Sequence, residues 1–225
     1  IMSALSLVIG NKNYSSWSLR AWLYLAVNDI PFDEISLPLD TAEFQREIGQ
    51  YSSSRCVPVL IDGDSKIWDS LAIIEYLNRH FPTSVGWPAD RKLEALALSA
   101  VAEMHSGFPA LRSGYPMNCR LESFKAPLYG DVEKDLSRLD QLWQELMAAA
   151  GSDGPGLLGE LSIVDVYFAP VVFRCDRYQL PLSDASLAYI EKMLDLPAMR
   201  AWAEAAAEET EIVEADEFAL IHKGK

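Results

Sequence analysis

The stretch Val57-Pro58-Val59-Leu60-Ile61-Asp62-Gly63-Asp64-Ser65-Lys66-Ile67-Trp68-Asp69-Ser70-Leu71-Ala72-Ile73-Ile74-Glu75-Tyr76-Leu77 decides the fold. Its apolar run over 57–61 reads as a strand, Asp62-Gly63-Asp64 as a turn, and Lys66-Ile67-Trp68 as a brief hairpin partner. From Ser70 the period changes. Ile73, Ile74 and Leu77 fall on one face of a helix over 70–80. A hairpin that runs straight into a helix closes a small sheet and covers it.

Working upstream, residues 5–10 form a short apolar run ending at Gly10, a buried strand by pattern. The apolar opening from Ile1 to Ile9 has neither a basic start nor a small-residue cleavage site, so it reads as strand and not as a signal peptide. Leu19, Trp22, Leu23 and Ala26 then mark a helix face. A second strand is expected over 33–38, after Pro31, and a polar helix near 41–50. The order is βαβα, then ββα. A βαβ unit implies parallel strands joined by a right-handed crossover, and the hairpin adds an antiparallel strand. That is the thioredoxin topology.

Downstream the texture changes. Pro82 to Pro88 is a linker rich in Pro, Ser and Gly, and no convincing strand follows. Leu93, Leu96, Ala97, Ala100 and Met104 mark one long helix; Val132, Leu136, Leu139, Trp143 and Leu146 mark another. Residues 152–159 are loop-like, and three shorter helices are expected near 163–177, 184–194 and 197–208. The fold class is therefore α/β plus all-α: a thioredoxin-like βαβαββα domain over residues 1–82, a linker over 83–88, and a helical bundle over 89–225.

Composition narrows the function. The chain of 225 residues carries 19 Lys and Arg against 33 Asp and Glu, a net charge of -14. That balance argues against nucleic acid, whose phosphates call for clustered cations, and against anionic membranes. No apolar run reaches the roughly 18 residues of a membrane span. Cys56, Cys119 and Cys175 show no C-x-x-C spacing, and three histidines (His80, His105 and His222) do not suggest a metal site. A reducing, cytoplasmic setting fits.

Four constellations carry chemistry or its structural alternative. Tyr14-Ser15-Ser16-Trp17-Ser18-Leu19-Arg20 lies between the first strand and helix, at the carboxyl end of the parallel strands, where open α/β sheets bind ligands. It feeds a helix N-terminus, which favours an anion. Ser15 and Ser18 have the spacing at which a redox member would carry two cysteines, so dithiol exchange is not available here. A serine hydroxyl can instead donate to a thiolate belonging to a substrate. The alternative is helix capping by Ser16 or Ser18. Val57-Pro58 opens a strand, and a cis bond there would turn the Val57 backbone toward the serine loop to pair with a peptide ligand; an ordinary strand-opening proline is the alternative. Asp69 and Ser70 start the third helix, where they suit the ammonium and carboxylate of a γ-glutamyl head, or simply cap the helix. Leu161-Ser162-Ile163-Val164-Asp165-Val166 reads as a capping box with its hydrophobic staple.

With these features in register the chain resembles the cytosolic glutathione transferases over nearly its whole length, and the zeta class (maleylacetoacetate isomerase-like) most. The zeta signature S-S-C-S-W-R stands against Ser15-Ser16-Trp17-Ser18-Leu19-Arg20, and S-L-A-I-I-E-Y-L matches residues 70–77 letter for letter. The resemblance implies glutathione as co-substrate and a homodimer. It places Ser15, or Ser16 one residue on, as the catalytic serine. Cys56, Val57 and Pro58 would lie along the glutathione cysteine, and Asp69 and Ser70 would hold the γ-glutamyl group. The implied activity is conjugation of the thiolate to a small electrophile, a detoxification chemistry. Glutathione-dependent isomerisation or peroxidase action, or a non-catalytic glutathione-binding module, stand as alternatives. Trp17 occupies the position of the signature's cysteine, and Asp69 that of its usual Gln.

For the second substrate, His105, Phe108, Arg112 and Tyr115 recur at three- to four-residue steps and are expected on one helix face, with a kink at Pro109. With Trp17 they would form a partly aromatic pocket holding one cation, Arg112, to orient an anionic group. The alternative makes Phe108 and Tyr115 inter-domain core and Arg112 an ion pair. Cys56 is expected to be a buried, inert thiol, and the acidic stretch Glu204 to Glu217 a solvated helix end and tail.

Overall fold

The computed structural model describes residues 5–224; residues 1–4 and 225, and with them the first part of the apolar opening, lie outside it. The first half is built from β1 (Leu5–Ile9), α1 (Ser16–Val27), β2 (Phe32–Ser36), α2 (Ala42–Tyr51), β3 (Val59–Asp62), β4 (Ser65–Trp68) and α3 (Ser70–His80). The sheet order is β2-β1-β3-β4. β1 runs parallel to β2 and antiparallel to β3, and β3 and β4 form the closing hairpin. β1 is apolar on both faces because both are covered. Leu7 and Ile9 face the core shared with α1 and α3, while Val8 packs with Phe44 and Ile48 of α2.

The second half is helical: α4 (Arg91–Ser106), α5 (Pro109–Gly114), α6 (Val132–Ala150), α7 (Ile163–Arg177), α8 (Asp184–Leu194) and α9 (Pro197–Glu208), then a 3₁₀ turn (Glu214–Asp216) and the short α10 (Phe218–Ile221). Every residue of α7 from Ile163 to Cys175 is buried. A helix apolar all round belongs at the centre of a bundle. It also packs on α1, and the buried Arg20 of α1 donates from Nε to the Tyr167 carbonyl at 3.0 Å. One core cluster therefore runs from the sheet into the bundle. No helix among the described residues is long and apolar enough to cross a membrane.

Pro109 does not kink a continuous helix. The helix ends at Ser106, Gly107 closes it by donating to the Glu103 carbonyl at 2.7 Å, and Phe108 turns left-handed at φ 55°. Pro109 then opens α5, where its missing N–H costs nothing. A proline also disfavours the right-handed α conformation for the residue before it, so Phe108 cannot carry one helix into the next. His105, Phe108, Arg112 and Tyr115 consequently do not share a face.

Candidate active site

Ser15 caps α1, accepting the Ser18 N–H at 3.3 Å. Capping therefore falls to Ser15 and not to Ser16 or Ser18. Its hydroxyl donates to Ser18 Oγ at 2.7 Å, and Ser18 Oγ also accepts the Gly10 N–H at 3.1 Å. Ser15 and Ser16 both line a cavity of about 610 Å³ between the halves, together with Val57 and Arg112. Tyr14 lines it too, but its hydroxyl is committed: it donates to Glu217 at 2.5 Å and accepts from Arg120. Burial, and then Glu217, push the Tyr14 pKa up.

The Val57-Pro58 bond is cis, and both residues line a second, adjoining cavity of about 300 Å³ with Asp69 and Ser70. The two cavities share Trp17, Cys56 and Val57. Cys56 is exposed at that junction, which overturns its expected burial; the polar run Ser52 to Arg55 before it keeps this turn at the surface. Asp69 sits at φ 73°, a conformation an ordinary residue adopts only when its surroundings impose it. Its Oδ1 accepts from the amides of Leu71 and Ala72, while Oδ2 lies 3.5 Å from His105 Nε2. His105 Nδ1 meets the Tyr167 hydroxyl at 2.5 Å, which in turn pairs with Ser70 Oγ at 3.1 Å. A polar chain thus joins α3, α4 and α7.

Trp17 packs with two guanidinium groups, Arg20 4.5 Å and Arg112 5.0 Å from its ring centroid. His105 packs edge-on against it at 5.4 Å. Arg112 donates only to the carbonyls of His105 and Gly107, and no carboxylate pairs with it among the described residues. The ion pair of the alternative reading is not formed among the described residues. Arg174 of α7 reaches the same cavity, its Nε bound to the Tyr115 carbonyl at 2.9 Å. Burial lowers the pKa of Arg174 to about 10 and of Arg20 to about 9, so both stay charged at neutral pH. In a chain with a net charge of -14, Arg55, Arg112 and Arg174 gather around this cavity against one lining carboxylate, Asp216.

Of the residues proposed for the second substrate, Trp17, His105 and Arg112 come together. Phe108 and Tyr115 do not. Both are buried in the core, and the Tyr115 hydroxyl is held by the Pro127 carbonyl and the Tyr129 amide. Sequence reasoning passed over Arg174; a charged residue inside the apolar run Val171-Val172-Phe173-Arg174-Cys175 was the available signal. It also read the acidic tail as solvated. Glu209 instead accepts the amides of Lys12 and Asn13 at 2.6 and 3.0 Å, and Arg120 ties the Glu209 and Glu211 carbonyls, so the tail straps the serine loop.

Known proteins resemble this chain in sequence and in fold. Residues 14–80 match the family model described as "Glutathione S-transferase, N-terminal domain". The chain is 28% identical over 196 residues to a probable maleylacetoacetate isomerase of Vibrio cholerae, covering 80% of this chain and 86% of that one. It is 26% identical to glutathione S-transferase Z1 of Arabidopsis thaliana, covering 84% and 89%. Among solved structures, a glutathione transferase homologue from Burkholderia with bound glutathione superposes with a TM-score of 0.70 at 22% identity, over 92% of this chain and 99% of that chain. Human glutathione-S-transferase T1-1 superposes at 0.64 and 21% identity, covering 91% and 88%. At those identities the structural likeness speaks for the fold.

Proposed function

We propose, from the match of residues 14–80 to the glutathione S-transferase N-terminal domain and from the glutathione transferase fold of the chain, an enzyme that binds glutathione and joins its thiolate to a small electrophile. The observation that carries this reading is the pair of adjoining cavities meeting at Val57. One is lined by Ser15 at the start of α1, and the other by Asp69 and Ser70. A tripeptide laid across the junction would put its γ-glutamyl group at Asp69 and Ser70, its cysteine backbone along Val57, and its sulfur at Ser15. The Ser15 O–H and the α1 N-terminus then favour the thiolate over the thiol. Holding sulfur and electrophile in one cavity supplies proximity. A homodimer is part of the reading.

The electrophile carries an anionic group. Arg112 and Arg174 line the cavity with Trp17, and the Arg112 hydrogen bonds among the described residues go to backbone carbonyls, so a carboxylate on the co-substrate would complete its charge. Arg112→Ala is expected to raise the KM for a carboxylated electrophile by about tenfold or more, since a charge-assisted hydrogen bond contributes about 1.5–3 kcal/mol. The KM for a neutral aryl halide should stay within about twofold. Equal KM values across both co-substrates in wild type and variant would remove the anionic assignment.

The same arginines favour a second reading, cis-trans isomerisation of an anionic substrate by reversible thiolate addition. Mass balance separates the two, because conjugation consumes one glutathione per turnover and isomerisation returns it. Isothermal titration of the folded protein with glutathione tests the shared premise. Saturable uptake is expected, and none at millimolar glutathione would overturn both readings.

A further inference from the structure

The hydroxyl assigned to the thiolate is already engaged. A serine has one O–H to donate and two lone pairs to accept with, and the Ser15 proton goes to Ser18 Oγ at 2.7 Å. Ser18 is fully buried on the first turn of α1 and lines neither cavity. Its oxygen accepts twice, from Ser15 and from the Gly10 N–H. If Ser15 turned its proton onto a sulfur and nothing replaced it, the 2.7 Å contact would face two lone pairs across a buried gap, which is costly.

Ser18 supplies the replacement. Its own proton can enter the same line and donate to Ser15 Oγ while its oxygen keeps the Gly10 N–H. Ser15 Oγ would then accept from both the Ser18 hydroxyl and the Ser18 amide, with its single O–H left to point into the cavity. An oxygen that accepts two donors is a stronger donor itself, because linked hydrogen bonds polarise one another. We propose that Ser18 is a positioning residue for the thiolate: its buried hydroxyl reverses its hydrogen bond with Ser15 when glutathione binds, and so holds the Ser15 O–H on the sulfur. The proposal rests on the reading of Ser15 as thiolate donor. No covalent bond changes in this step, and the proton count on the two serines is conserved.

The test is the pH titration of bound glutathione by thiolate absorbance, with thermal melting as the check of fold. Ser18→Ala is expected to raise the pKa of the bound thiol by about 0.5–1 and to lower kcat about three- to tenfold at mildly acidic pH, with the KM for glutathione within about twofold. Ser18→Cys keeps an acceptor for Gly10 and only a weak donor for Ser15, so it should fall between wild type and Ser18→Ala. It decides the matter if loss of the Gly10 partner keeps Ser18→Ala from folding. In a Ser15→Ala background the second change should move the thiol pKa no further, because there is no hydroxyl left to orient. A thiol pKa raised by Ser15→Ala but untouched by either Ser18 variant overturns the Ser18 role alone. An equal shift from Ser18→Ala with and without Ser15 overturns it as well, by showing a general disturbance of the loop. A Ser15→Ala thiol pKa equal to wild type overturns the donor reading, and the Ser18 role falls with it.

Discussion

Ser15→Ala is expected to lower kcat/KM for glutathione conjugation about 10- to 30-fold at neutral pH, the loss that follows when the bound thiol is left near its free pKa, where only about 3% of it is thiolate. The loss should lie in ionisation of the thiol and not in tripeptide binding, so the dissociation constant for glutathione should change little. A free thiol has a pKa of about 8.5, and the wild-type site is set to hold it lower. The variant gives part of that depression back. The sign follows: the deficit is full while both bound thiols are protonated, narrows as pH rises from the wild-type thiol pKa toward the variant's, and closes above the variant's, where its sulfur ionises unaided. A deficit of the same size at every pH would refute thiolate stabilisation, even if activity fell. The structure also separates this effect from a folding defect. Ser15 caps α1, and loss of a cap costs about 1 kcal/mol, which for a chain of this size lowers Tm by about 2–4 °C. Ser16→Ala should stay within about threefold of wild type, because Ser16 makes no bond to Ser18 and does not cap the helix.

That the Ser15 loop could be found from sequence at all reflects how local the thioredoxin-like half is. Leu7, Val8 and Ile9 are apolar because the strand is covered on both faces, and the switch from period two to period 3.6 at Ser70 is written in adjacent residues. The later helices were equally legible. Their starts are fixed by neighbours in the chain: Ser162 with Asp165, Ser183 with the Ser186 amide, and Pro197 at the first turn. What stayed hidden depends on groups far apart in sequence. The i, i+3, i+4 spacing of His105, Phe108, Arg112 and Tyr115 runs straight through a chain reversal, because periodicity counts residues and does not register that Gly107-Phe108-Pro109 ends one helix and begins another. Arg174 enters the cavity only because α7 packs on α1, and Glu209 straps Lys12 only because the tail returns to the loop after β1. Neither follows from a window of neighbouring residues. Asp69 was read as either cap or ligand, and its two oxygens are divided between helix amides and His105 at the cavity edge, so the alternatives were never exclusive.

Asp165 carries the largest expected effect on stability. Its carboxylate is wholly buried and accepts four hydrogen bonds: Leu157 N–H at 2.8 Å and Tyr189 O–H at 3.0 Å on Oδ1, and Ser162 N–H at 2.8 Å and Ser162 O–H at 3.1 Å on Oδ2. It therefore does more than close a capping box. It fastens the glycine-rich loop and α8 to the first turn of α7, the helix at the centre of the core. The loop comes so close that a Cβ on Gly156 would fall 2.6 Å from Asp165 Oδ2 and 2.4 Å from the Glu160 carbonyl, so no larger residue could fill the space left by a shortened side chain. Asp165→Ala strands these donors in a site from which water is excluded, and the expected cost is about 3–5 kcal/mol. For a chain of this length that lowers Tm by about 6–20 °C. Asp165→Asn keeps the volume and one carbonyl acceptor but turns an amide NH₂ toward two donors, so it should recover only part of the loss. Calorimetry of the three proteins decides the point. A Tm for Asp165→Ala within about 2 °C of wild type would mean that the loop and α8 are held by their apolar contacts alone and that the carboxylate is dispensable to the fold. Because Asp165 lines neither cavity, whatever folded variant remains should bind glutathione with near wild-type affinity, and this distinguishes loss of the central helix's anchor from loss of the thiolate site.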